Sequence, residues 1–158
     1  MFHWGAVKML PPFFILNPMK HYFNTSELCI MPTAIPQEVA DKLWKYHLLP
    51  MNRVRAQLGF PITASQQSGY RPVAWELSQG RNGKSQHCFH GLGAVDWTTP
   101  GRTDLLDALQ SLILERTDYS RITRYATFIH CDYRPLPNGS RRLYASGKDS
   151  KWKLVREL

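Results

Sequence analysis

Two histidines and one aspartate are the residues of this sequence that best fit a metal site. Each is set in an apolar or glycine-rich frame, where a buried charge needs a partner. They occur in the segments Ser85-Gln86-His87, Gly93-Ala94-Val95-Asp96 and Phe128-Ile129-His130. Catalytic zinc commonly has three protein ligands and keeps a fourth position for water, which then performs hydrolysis. We therefore predict Zn²⁺ held by His87, Asp96 and His130, and hydrolytic chemistry.

The other histidines and the cysteines have simpler interpretations. His3, His21 and His47 stand alone, and we expect them to be surface histidines or hydrogen-bonded core histidines. The sequence has 3 cysteines, with no Cys-x-x-Cys pair, so a disulfide framework is not expected. Cys88 and Cys131 each follow a predicted ligand, and neighbouring strand residues point to opposite faces. We expect both to be small buried hydrophobic residues.

Composition favours one globular domain with an anionic partner. The chain has 158 residues, of which 43% are hydrophobic and 20% charged, so it can bury a core without disulfides. The net charge of +8 favours nucleic acid, an anionic membrane or a phosphate- and carboxylate-rich cell wall. Basic residues are concentrated in a C-terminal tail, at Arg141, Arg142, Lys148, Lys151, Lys153 and Arg156.

The N-terminal residues lack the features of a membrane span or a secretory signal. The apolar stretch 9–16 is too short to cross a bilayer, and Pro11-Pro12 interrupts it. We predict no membrane span, an N-terminal extension over residues 1–18 and a single domain over residues 19–158.

Helical patterns come first in the chain and strand patterns later, which predicts an α+β fold. Pro36 is a good first helical residue, and Pro50 is expected to break or restart that helix. A second helical segment, 51–58, should stop at Gly59. Thr103 is predicted to cap a third helix. Strands are predicted over 94–97 and within 125–133.

The ordered motifs resemble those of the D-Ala-D-Ala carboxypeptidase and endopeptidase family of zinc peptidases, which shares a fold with the Hedgehog signalling domain. The resemblance runs from about Phe23 to Arg134. It implies a Hedgehog/DD-peptidase-like domain with a small antiparallel sheet flanked by helices. Four motifs carry the resemblance. The N-terminal segment is Tyr22–Leu28, and the turn is Ser68-Gly69-Tyr70-Arg71. The Ser-x-His…Ala-x-Asp segment is Ser85-Gln86-His87…Ala94-Val95-Asp96, and the late strand contains Phe128-Ile129-His130.

Two departures from the family pattern leave alternatives open. The family aspartate lies seven residues after the histidine, whereas Asp96 lies nine residues after His87. His90 is therefore the alternative ligand, although Ser85 favours His87. Many members also have an acidic general base three residues before the last histidine, where this chain has Thr127. Asp132 could be the base or could orient a ligand, and His90 is another candidate base.

The resemblance implies a metallopeptidase acting on the stem peptides or cross-links of bacterial peptidoglycan. Arg71 would bind a substrate carboxylate through its guanidinium fork, and Ser85 would add a hydrogen bond. A short chain without an export signal resembles phage-encoded wall-degrading enzymes. We therefore expect a monomer located in the phage virion, or in the host cytoplasm before release to the wall.

Two other function classes are compatible with parts of the sequence. The first is a zinc-containing cell-wall-binding module that has lost catalysis, which Thr127 would permit. The second is a basic nucleic-acid binder. The sequence has no RNP-like, helix-turn-helix or zinc-finger pattern, so no nucleic-acid partner is expected.

Overall fold

A computed structural model of the chain describes residues 20–30, 35–146 and 151–158. Helices and one five-stranded sheet make up these residues, so the predicted α+β class is confirmed. The predicted N-terminal extension, 1–18, lies outside the described residues.

One long helical stretch runs through the first half of the fold and continues past Pro50. It consists of helix α1 (Gln37–Lys42), a π-helical segment (Leu43–Leu48) and helix α2 (Leu49–Leu58). Pro50 has no N–H for the carbonyl of Tyr46, which instead accepts a 2.7 Å hydrogen bond from the Tyr133 hydroxyl. The predicted stop at Gly59 is confirmed, since Gly59 has a left-handed φ of 68°.

Two further helices follow. Helix α3 (Val73–Ser78) precedes the loop that leads to His87. Helix α4 (Leu106–Arg116) packs against α2. The predicted Thr103 cap is wrong, because Thr103 begins a 3₁₀ turn, Thr103–Leu105, and no side chain caps that turn. None of the helices in the described ranges is long and apolar enough for a bilayer crossing.

The sheet has the strand order β1-β3-β2-β4-β5. The strands are β1 (Ala94–Trp97), β2 (Arg121–Arg124), β3 (Ile129–Asp132), β4 (Arg142–Ser146) and β5 (Trp152–Glu157). The predicted antiparallel sheet is wrong in one pairing, because β4 runs parallel to β2. β3 ends at Asp132, which pairs with Arg121 at the start of β2. The chain then passes the start of β2 and begins β4 on its other side. The predicted basic tail thus forms an antiparallel pair of strands, β4 and β5.

The apolar core lies between the sheet and the helices α2 and α4. Met51, Val54, Leu109, Ile113 and Trp97 are all 0% exposed. All three cysteines are free and buried, which agrees with the prediction that Cys88 and Cys131 are small buried hydrophobic residues. This core fixes β1 and β3 side by side, and these two strands carry two of the three predicted metal ligands.

Candidate metal centre

The three predicted ligands come together on the sheet and on one adjoining turn. Asp96 on β1 lies directly opposite His130 on β3. His87 lies on the 3₁₀ turn Gln86–Cys88, where the Ser85 hydroxyl caps the turn by accepting from the His87 N–H at 3.2 Å. Potential ligand atoms of His87, Asp96 and His130 all lie within 4.8 Å of one another, so this group could hold a metal ion.

The carboxylate of Asp96 lies between the two imidazoles. His130 Nδ1 is 2.7 Å from Asp96 Oδ1, and His87 Nε2 is 3.5 Å from Asp96 Oδ2. The two rings meet edge to face at a centroid distance of 5.3 Å. His87 and His130 are only 5% and 8% exposed, so both depend on partners inside the protein.

His87 is oriented from behind by the predicted Ser-Gly-Tyr-Arg turn. The Gly69 carbonyl lies 3.0 Å from His87 Nδ1 and accepts its proton, so Nε2, which faces Asp96, is the nitrogen left for a metal ion. A Cβ at Gly69 would lie 2.0 Å from the Leu28 carbonyl oxygen, so only glycine fits there. The Arg71 N–H also donates to the His87 carbonyl at 2.8 Å. The turn therefore holds both the ring and the backbone of this residue.

His130 is oriented in the same way by Asp132. Asp132 is 0% exposed, and its Oδ2 lies 2.9 Å from His130 Nε2. The Arg121 guanidinium donates to the same oxygen, and the Arg134 backbone N–H donates to Oδ1 at 2.9 Å. With Nε2 held by Asp132, Nδ1, which donates to Asp96 at 2.7 Å, is the nitrogen that a metal ion would bind in place of that proton. Asp132 thus has the geometry of a carboxylate that orients a metal-binding histidine.

These contacts determine the charge states of the site. Burial alone would raise the pKa of Asp96, but hydrogen bonds from His130 and His87 hold it well below its ordinary value. Burial would likewise raise the pKa of Asp132, whereas His130 and Arg121 lower it. Burial would lower the pKa of His130, but the carboxylates of Asp132 and Asp96 raise it. Both aspartates are consequently ionised at neutral pH, and Asp96 is the one that lies in the metal-ligand group.

The donor set fits zinc. Two imidazole nitrogens and one carboxylate are a common ligand set for catalytic zinc, which keeps a fourth position open. Each histidine also has its second nitrogen held by an oxygen acceptor, Gly69 or Asp132, as metal-binding histidines usually do.

Replacing Asp132 with asparagine is expected to weaken Zn²⁺ binding about 10–100-fold, because His130 would lose the carboxylate that orients it. The affinity can be measured by competition with a chromophoric chelator. Asp107→Asn is the matched control, since Asp107 is exposed and pairs with Arg124. An Asp132→Asn protein that binds Zn²⁺ as tightly as the unaltered chain would contradict this role.

The predicted substrate residues Arg71 and Ser85 both line an open groove beside the metal-ligand group. Arg71 Nη2 is 3.9 Å from Asp96 Oδ2, and Arg71 Nη1 is 3.2 Å from Glu76 Oε1. Its Nε also donates to the Gln67 carbonyl. Arg71 is therefore fixed close to the candidate metal position.

His90, the alternative ligand and candidate base, is exposed and outside the metal-ligand group. Its Nε2 is 2.8 Å from the Gly83 carbonyl oxygen. The loop between His87 and Asp96 is two residues longer than in the family pattern. It turns at Phe89 and Gly93, which have positive φ angles of 58° and 88°. Thr127 is exposed beyond β2, and its carbonyl accepts from the Thr98 hydroxyl at 2.7 Å. The role of His90 or Asp132 as general base stays a prediction.

The sequence patterns gave no indication of the aromatic side of the site. Trp152 on β5 lies 5.6 Å from the His130 ring, between centroids. The Arg121 guanidinium carbon is 4.3 Å from the centre of the Trp152 ring, and the indole N–H donates to the Tyr125 hydroxyl. Trp152 therefore packs beside both His130 and the arginine that holds Asp132. The one sequence signal for Trp152 is an aromatic residue within a segment of basic residues.

Comparisons with known proteins gave no match to a protein-family model, a curated protein or a solved structure.

Proposed function

We propose that this chain is a zinc-dependent peptidase that hydrolyses peptide bonds in the stem peptides or cross-links of bacterial peptidoglycan, on a Hedgehog/DD-peptidase-like fold. The observation that carries the proposal is the convergence of His87, Asp96 and His130, with Arg71 held 3.9 Å from Asp96. A metal position and a nearby guanidinium together suit a peptide that has a free carboxylate. The motif resemblance supports the same reaction.

When bound, zinc would supply a Lewis acid that lowers the pKa of a coordinated water toward neutrality and polarises the scissile carbonyl. His87 and His130 would bind it through Nε2 and Nδ1, and Asp96 through its carboxylate. Asp132 keeps the proton on His130 Nε2, so that Nδ1 stays available. Gly69 does the same for His87 by accepting from Nδ1.

Arg71 orients the substrate in this proposal. Its guanidinium binds a substrate carboxylate while Glu76 fixes the other side of the fork. Ser85, which lines the same groove, adds a hydrogen bond. Holding the peptide at two points places its carbonyl next to the metal position, which lowers the entropic part of the barrier.

Digestion of purified peptidoglycan tests this function. We expect the zinc-loaded chain to release soluble peptides, the chelated chain to release none, and added Zn²⁺ to restore release. The products are identified by mass spectrometry, which also shows which bond is cut. Loaded protein that releases no peptide from walls of several compositions between pH 5 and 9 would refute the peptidase proposal.

A metal-containing cell-wall-binding module is the second candidate. It is favoured by the positions of Thr127, exposed beyond β2, and of Asp132, whose carboxylate is used by Arg121, His130 and Arg134. A sedimentation assay distinguishes the two candidates: a module would pellet with peptidoglycan in the presence of Zn²⁺ and leave it intact.

A further inference from the structure

The groove that contains Arg71 and Ser85 is strongly cationic. Its volume is about 710 Å³, within the range of roughly 300–1,000 Å³ that is usual for ligand sites. Among the residues that the structure describes, four cationic side chains and a single carboxylate, that of Glu76, line it. The lining cations are Arg71, Arg81, Lys84 and Arg134.

Glu76 is not free to pair with the remaining cations. It is 1% exposed, and its Oε1 accepts from Arg71 at 3.2 Å and from Arg81 at 2.9 Å. A buried carboxylate that holds two arginines fixes their positions along the groove. The groove therefore keeps an excess of positive charge.

The loop that carries Lys84 is held in place by several contacts. The Asn82 side chain accepts from the Lys84 N–H at 2.9 Å, and His90 contacts the Gly83 carbonyl at 2.8 Å. Gly83 has a positive φ of 67°, and a Cβ there would lie 3.0 Å from a Val73 methyl carbon. The position of Lys84 along the groove is thus built into the loop.

Arg134 lies at the groove on the side of the sheet. Its backbone N–H is bound to Asp132 Oδ1 at 2.9 Å, which fixes it relative to His130. Within the described ranges, neither the Lys84 ammonium nor the Arg134 guanidinium pairs with a carboxylate. Two exposed cations, each on a backbone held by a hydrogen bond, thus remain beside the arginine assigned to the first substrate carboxylate.

We infer that the substrate is a peptide carrying a second free carboxylate, which Lys84 and Arg134 bind while Arg71 binds the first. This inference rests on the proposed function and narrows its substrate class to stem peptides with an unamidated acidic residue. Charge-assisted hydrogen bonds to such a carboxylate would add affinity and reject the amidated peptide.

Peptide binding tests the inference without requiring turnover. The probes are peptides ending in D-Ala-D-Ala with a glutamate one, two or three positions before that dipeptide, each paired with its glutamine analogue. Isothermal titration is performed on the full chain with Zn²⁺ and again with chelator, where hydrolysis does not occur. We expect at least one glutamate peptide to bind about tenfold more tightly than its glutamine analogue.

The double variant Lys84→Gln/Arg134→Gln should remove that preference. Lys45→Gln/Arg53→Gln is the matched control, because it removes one lysine and one arginine from a separate groove. Equal binding of glutamate and glutamine peptides, or a preference that survives in Lys84→Gln/Arg134→Gln, would overturn the inference. A glycerol-phosphate polymer that binds more tightly and displaces the glutamate peptide from Lys84 and Arg134 would also overturn the inference, because the groove would then be a binding site for an anionic polymer.

Failure of this inference is distinguishable from failure of the proposed function. If peptidoglycan is cleaved but the glutamate and glutamine peptides bind equally, the peptidase proposal stands and the inference of a second bound carboxylate is refuted. A carboxylate preference that depends on Lys84 and Arg134, without release of peptides from any wall, would support the inference on a wall-binding module.

Discussion

Replacing Asp96 by asparagine is expected to lower the rate of peptidoglycan hydrolysis about 10³-fold, because the anionic ligand between His87 and His130 would be lost. A bound metal ion contributes several kcal/mol to stabilising the transition state, and each ~1.4 kcal/mol corresponds to a factor of ten. Asparagine has almost the same shape as aspartate, so the strand pairing of β1 with β3 should persist. The rate is measured by peptide release, and bound zinc by elemental analysis.

Two comparisons make this result specific to the metal centre. Asp104→Asn is the control, since Asp104 forms an exposed ion pair with Arg102 at 2.7 Å, and its activity should stay within a factor of two. Chelation of the unaltered protein should reproduce the loss seen with Asp96→Asn. An Asp96→Asn protein with activity within tenfold of the unaltered chain would show that this carboxylate is not a ligand.

The ligand group could be predicted from the sequence because its members lie in unusual settings. An ionisable residue after Gly93-Ala94-Val95, or after Phe128-Ile129, is costly to bury without a partner, and that cost is visible in the sequence. The pairing of Asp96 with His130 is not visible, because it depends on the register of two strands that are far apart in the chain. Spacing alone also left His87 and His90 as competing ligands, whereas the structure places only His87 in the group.

The C-terminal strands could not be predicted from their local pattern. Most residues of β5 are exposed, so the strand lacks the alternation of buried and exposed positions that marks a half-buried strand. Its basic residues instead suggested a solvated tail. The contact of Trp152 with His130 and Arg121 arises only when β5 pairs with β4, and β4 pairs with β2. This side of the site is therefore set by long-range pairing.

The continuous helix across Pro50 has a similar explanation. Local rules predict a break at proline, because it lacks an N–H and disturbs the preceding turn. A π-helical segment precedes it, and the carbonyl of Tyr46 is satisfied by Tyr133, which lies 87 residues later in the sequence. The same π-helical segment contains His47, so the shape of this helix also places a buried histidine against the loop between His87 and Asp96.

His47 connects that segment to the loop between the ligands His87 and Asp96. It is 0% exposed, its Nε2 lies 2.8 Å from the Leu92 carbonyl oxygen, and its Nδ1 lies 3.0 Å from the Tyr119 hydroxyl. The Trp97 indole N–H donates to the same hydroxyl at 3.2 Å. The carbonyl can only accept, so Nε2 donates to it, and Nδ1 accepts the Tyr119 proton.

Replacing His47 by phenylalanine is expected to lower the free energy of unfolding by about 2–4 kcal/mol at pH 7.5. Phenylalanine keeps an aromatic ring at this position, but the buried Leu92 carbonyl and Tyr119 hydroxyl lose their partner. Urea unfolding in the presence of chelator measures the effect without a contribution from metal binding. His21→Phe is the matched control, because His21 is exposed and its ring lies against the Trp44 ring, and it should change the free energy by less than about 0.5 kcal/mol.

The pH dependence of this difference identifies the neutral state of His47 as its cause. Burial lowers the pKa of His47 from 6.5 to about 4, against the opposing effect of the hydrogen bond with Leu92. Between these values the unfolded chain takes up a proton that the folded chain does not, so the unaltered protein loses stability as pH falls. The stability is fully present above pH 6.5, and about 2 kcal/mol of it is lost by pH 5. Phenylalanine has no proton to bind, so the gap between the two proteins should narrow by that amount from pH 7.5 to pH 5. Parallel stability curves for the two proteins over this range would show that His47 titrates normally in the fold and that its burial does not keep it neutral.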